Sequence, residues 1–211
     1  TDLDVIAGAI GAGSGGAGGA GVGVVVIDKT TDANIGNATV DAGANGSAVA
    51  GMLNGDQGSD GSFGVAAMGG VLVQSQSAEN LFGVSAAASV GGAIGIGGAV
   101  TVSVIDSDTF ASIAGGASIN TATSGESAAQ RVNVAASNDV DMFMVDGVIA
   151  GSLGGGLAGG IDVGIVRNDT SAFIGDSAAA ERGVIDAQGT VGVHALASLD
   201  VESTTVSAAA G

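Results

Sequence analysis

Residues 97–113 read GGAVTVSVIDSDTFASI. Valines alternate with small polar residues, an acidic Asp-Ser-Asp follows, and Thr, Ala and Ile then alternate again. The phrase recurs as GAGVGVVVIDKTTDANI at 19–35 and as AGGIDVGIVRNDTSAFI at 158–174. Aligned on the acidic step, Val22, Val100 and Ile161 coincide, 78 and 61 residues apart. Thr31, Thr109 and Thr170 coincide at the same offsets. Alternation with period two reads as β-strand. The phrase therefore predicts strand, acidic turn, strand, repeated three times in one polypeptide.

Two further phrases follow each copy. VLVQSQS (71–77), VNVAAS (132–137) and VGVHALAS (191–198) form one set. GVSAAAS (83–89), GVIAGS (147–152) and TVSAAAG (205–211) form the other. The opening DVIAGAIGAG matches the last set, so the chain enters and leaves the cycle at about the same phase. Each cycle holds four or five short strands by this reading. The first cycle carries an insertion near 51–64, GMLNGDQGSDGSFG, which predicts a surface loop.

Composition narrows the class. Of 211 residues 41 are Gly, aromatics make up 2%, and Pro, Cys, Trp and Tyr are absent. Collagen requires Gly at every third position with abundant Pro. Disorder requires low hydrophobicity, whereas 46% of residues here are hydrophobic and mean hydropathy is +0.54. Small and β-branched side chains in periodic order predict thin, closely stacked β-layers capped by their neighbours. The expected fold is all-β: a single repetitive domain over 1–211, a β-solenoid of the right-handed parallel β-helix type. It has about three repeats of roughly 60–78 residues. The alternative is stacked antiparallel hairpins or a β-sandwich, with Asp106-Ser107 as a hairpin loop and Val104 facing Thr109.

Charge excludes partners. The net charge is −17, with four Lys and Arg against 21 acids. Such a surface repels nucleic acid, whose phosphates are bound by releasing counterions to Lys and Arg. No run of about 18 strongly apolar residues predicts a membrane span. The absence of Cys fits a secreted chain without disulfides. The start at Thr1, with no signal peptide, suits a mature or excised piece of a longer protein.

Chemistry is sparse. His194 is the one histidine; it takes the polar phase of a strand, and no nucleophile accompanies it in a triad pattern. Asp106 with Asp108, or Asp139 with Asp141, could pair for glycoside cleavage, but turn punctuation explains them more simply. The Gly-rich runs at 13–19 and 154–160 lack the Gly-Lys-Ser/Thr ending of a phosphate loop. They read as places where backbones approach closely. No cofactor is called for beyond calcium. Its candidate ligands are Asp56 and Asp60 in the insertion, a single imperfect copy of a Gly/Asp calcium repeat.

The phrase AFIGDSAAAERGVIDAQGTVGVHA (172–195) resembles, in style, the repeats of giant bacterial surface proteins of the filamentous-haemagglutinin type. That resemblance covers most of the chain through the three copies. It implies secretion, a repetitive β fold, and work in adhesion, matrix or surface filaments. The expected role is a non-enzymatic module of an extracellular filament, rod or adhesin stalk. Its partners would be copies of itself or neighbouring repeats, and a cell surface or matrix. The alternatives are a calcium-dependent surface-binding module and a carbohydrate-active β-helix enzyme.

Overall fold

The computed structural model describes residues 1–122, 124–175 and 182–211; part of the 172–195 phrase, residues 176–181, lies outside them. The strands are β1 (Asp2–Gly13), β2 (Gly16–Ile35), β3 (Thr39–Val40), β4 (Val49–Gln57), β5 (Phe63–Gly91) and β6 (Ile94–Ile113). They continue as β7 (Ser118–Ile119), β8 (Gln130–Ser152), β9 (Gly156–Ile174), β10 (Val184–Ile185) and β11 (Val191–Ala210). The architecture is all-β, with parallel strands in stacked sheets. Sheet A orders β1-β5-β8-β11, sheet B orders β2-β6-β9, and sheet C orders β10-β7-β3. The chain visits A, B and C in turn, then returns to A one strand further along.

The repeat is the ladder. Val22 pairs with Val100, and Val100 with Ile161; Thr31, Thr109 and Thr170 align likewise. Val71, Val132 and Val191 stack in sheet A. The last phrase set is offset from this register by three, because Gly83 pairs with Met144 and not with Gly147. It is also not a separate strand. Each coil holds two long strands and one of two residues, where four or five short ones were expected.

The acidic turn does not exist. β6 runs unbroken through Asp106-Ser107 for 20 residues, roughly 65 Å at about 3.3 Å per residue. Val104 pairs in parallel with Val26 and Ile165, which rules out the antiparallel hairpin that had it facing Thr109. What changes at residue 104 is the phase of the apolar residues. Up to Val104 the Val and Ile side chains point outward. From Ile105 onward Ile105, Ala111 and Ile113 point inward and are buried. A phase inversion within one strand imitates a turn.

Its cause is a tapering cross-section. Sheets A and B face each other, joined at one end by short turns at 14–15, 92–93 and 153–155. Sheet C separates them at the other end. The wide end is filled by Val71, Val73, Ile113, Ile119, Val132 and Val134. The middle holds Val25, Ile27, Leu81, Ile105, Val140, Met142 and Met144. Toward the turns only Ala87, Ala99 and Val148 remain. There the sheets meet backbone to backbone. A Cβ on Gly95 would lie 2.6 Å from the Gly151 carbonyl oxygen, and one on Gly19 would lie 2.6 Å from that of Ala88. With little room inside, the Val and Ile side chains of this half other than Val148 stand outside.

The insertion is a β-hairpin and not a bare loop. β4 pairs antiparallel with the start of β5, Met52 with Ala66 and Leu53 with Val65. The hairpin lies on the outer face of sheet A. Gln74 Oε1 accepts a hydrogen bond from the Leu53 amide at 2.8 Å, and Asn133 Nδ2 donates to the Leu53 carbonyl at 3.1 Å. Leu53 is thereby completely buried. Gly70, at φ +116°, turns the chain from hairpin into sheet.

Candidate functional site

The hairpin places the expected metal ligands at its exposed end. Asp56 Oδ2 accepts from Asn54 Nδ2 at 2.7 Å. Asp60 Oδ1 accepts from the Ser62 hydroxyl at 2.6 Å and its amide at 3.1 Å. These bonds from Ser62 hold the Asp60 carboxyl below its ordinary value. Each carboxylate thus closes a local turn of its own. Among the described residues no three His, Cys, Asp or Glu side chains converge as a metal cluster.

His194 points outward from β11, as its polar phase predicts, and the hairpin half covers it. Gly55, at φ +89°, leaves room for the imidazole: a Cβ there would stand 2.3 Å from Nδ1. A cavity of about 390 Å³ opens beside it, lined by Asn54, Met68, Arg131, Asn133, Thr190 and His194. The His194 imidazole makes no hydrogen bond among the described residues, so no nucleophile is paired with it there.

The other acids were placed in turns by the sequence reading, and the structure corrects this. Asp106 and Asp108 lie mid-strand on β6 and point outward; Asp139 and Asp141 do the same on β8. Long strands with one wet face need solvated charges along their length, not only at their ends. Arg167 approaches Asp106 at 3.5 Å from the next strand. The Gly-rich runs do mark close approach: a Cβ on Gly13 would meet the Gly16 carbonyl oxygen at 2.4 Å.

Sequence reasoning missed three inward acids. Glu79 is buried between the sheets, where it pairs with Lys29 Nζ and accepts from the Ser77 hydroxyl at 2.6 Å. Asp146 and Asp162 also point inward. For Asp162 the available signal was its place between outward Ile161 and Val163, opposite in phase to both.

The outer surface of the narrow half is apolar. Along 5–27, 80–105 and 203–211 there is no charged residue, so the narrow half is a blade with two apolar faces. On sheet B, Val22, Val24 and Val26 stand beside Val100, Val102 and Val104, and these beside Ile161, Val163 and Ile165. On sheet A a groove of about 790 Å³ crosses all four strands, with Gly8, Ala86 and Gly147 between Ile10 and Ile149 on one side and Val206 at its end. Apolar patches of this extent mark interaction surfaces. No protein-family model, curated protein or solved structure matches the chain.

Proposed function

We propose that the chain is a structural module of an extracellular bacterial filament, rod or adhesin stalk. In this reading it winds as a right-handed parallel β-helix and assembles by stacking coil on coil through its strand edges. Parallel crossovers in one sheet are right-handed almost without exception, which supports that hand. The proposed partners are copies of the same coil. The role needs no catalytic step, and the style of the repeats, like that of filamentous-haemagglutinin-type proteins, accords with secretion.

The observation that carries the reading is that β11 repeats the inward apolar columns of β8 one strand further along. Val191, Val193, Leu199 and Val201 continue the inward columns of Val132, Val134, Val140 and Met142. The latter four are at most 2% exposed, whereas those on β11 are 52%, 44%, 58% and 47% exposed. Among the described residues no fourth strand of sheet B faces them. A further coil of the same kind would bury both these side chains and the open edge of β9. Natural sheets blunt such edges with Pro, Lys or bulges; this chain has no Pro and one Lys.

Electron microscopy and sedimentation at rising concentration test the reading. The expected result is end-to-end growth that the Leu199→Asp/Val201→Asp double variant abolishes without loss of β structure. A wild-type chain that stays a monodisperse monomer at millimolar concentration overturns it.

A further inference from the structure

The blade contains only two charged residues, Asp146 and Asp162, within its stretches 5–27, 80–105, 143–166 and 203–211. Both belong to one coil, and both point between the sheets. Asp146 is 1% exposed. Its Oδ1 accepts from the Thr101 hydroxyl at 2.6 Å, while Oδ2 is buried with no partner. Asp162 Oδ2 accepts from the Ser203 hydroxyl, while Oδ1 is likewise without a partner.

The ladder brings the two together. Thr101 and Asp162 are register partners on β6 and β9, strands about 4.8 Å apart. The hydroxyl bonded to Asp146 therefore stands beside the Asp162 side chain. Ser85, also 1% exposed, pairs with Asp146 from β5, and its hydroxyl has no partner. Thr205 pairs with Asp146 from β11. Two orphan carboxylate oxygens thus lie among the Thr101, Ser203 and Thr205 hydroxyls, while the Ser85 hydroxyl turns toward Gly21 on β2.

Among the described residues no cation neutralises these carboxylates. The ion pairs among the described residues are Lys29–Glu79 and Arg167–Asp106, and neither involves them. Buried carboxylates are paired or coordinate metals, and buried polar atoms without partners call for a ligand, water or ion. The donors are all hard oxygens, the set Ca²⁺ selects; there is no nitrogen or sulfur to favour zinc or copper.

We propose that Asp146 and Asp162 bind one calcium ion between the sheets, with Thr101 and Ser203 as neighbouring oxygen donors. The ion would join β8, β9 and β11 at the point where the blade has least side-chain packing. The site is separate from Asp56 and Asp60, and it does not depend on the stacking proposed above.

The test is calorimetric titration of chelator-treated full chain with CaCl₂, with melting and amide exchange measured alongside. The expected result is one saturable site, a higher melting temperature, and about tenfold slower exchange across residues 200–206 in the bound form. Asp146→Asn and Asp162→Asn should each remove the heat and the melting shift. They should melt no lower than the calcium-free wild type, since each removes a buried unpaired charge. The Asp56→Asn/Asp60→Asn variant should bind as wild type does. Absence of heat and shift in the wild type overturns the proposal, as does a response that survives Asp162→Asn or vanishes with Asp56→Asn/Asp60→Asn.

Discussion

The two halves of each coil solve the same problem in opposite ways. In the wide half, Val, Leu, Ile and Met fill the space between sheets, and charged residues other than the Lys29–Glu79 pair face water. In the blade mostly Gly, Ala and Ser face inward, and Val and Ile other than Val148 face outward. The wide half is held by apolar burial, about 25 cal/mol per Å². The blade replaces that with close dispersion and Cα–H···O contacts between facing backbones, each small and many in number. Alternation alone therefore identifies a strand but not its inner face; side-chain volume decides which phase goes in.

Substitutions can break or sharpen this contrast. The largest effect belongs to the wide half's filling: Leu81→Ala, at a fully buried site, should cost about 4 kcal/mol in urea denaturation. Next comes the blade's opposite sensitivity. Gly95→Ala should cost about 2–3 kcal/mol by forcing the sheets apart. Gly147→Ala, whose added methyl meets nothing within 4 Å, should shift stability by less than about 1 kcal/mol. Equal effects at these two glycines would refute the backbone-to-backbone account. A third comparison uses the outer face: Val24→Thr with Val163→Thr should change stability in urea denaturation by about 0.5 kcal/mol or less, and leave end-to-end stacking measured by sedimentation as in the wild type. The smallest effect lies on the hairpin. The Asp60 carboxyl is held below its ordinary value in the folded chain. Its contribution is present above the unfolded value of 3.8 and is lost as pH falls through the lower folded value. An NMR titration of Asp60 showing no such depression would remove the Ser62 account.

The repeat was readable because Val22, Val100 and Ile161 keep their offsets in the ladder itself. Strand continuity was not, because the inversion between Val104 and Ile105 mimics a turn, and only the taper explains it. The insertion was located but not its shape. Its Gly, Asp and Ser content suggested a loop, while Leu53 is buried only by reaching across to Gln74 and Asn133. Asp56 and Asp60 are neighbours in sequence and were easy to notice. Asp146 and Asp162 are neighbours only through the parallel register and the facing of two sheets, which no local spacing expresses.

The length of the strands sets the proportions of anything built from these coils. One turn of about 61 residues is roughly 65 Å broad yet raises the stack by only about 4.8 Å. Around 14 turns, or some 850 residues, are needed before height equals breadth. Material of this kind begins as a plank and becomes a column late, so broad coverage comes well before reach.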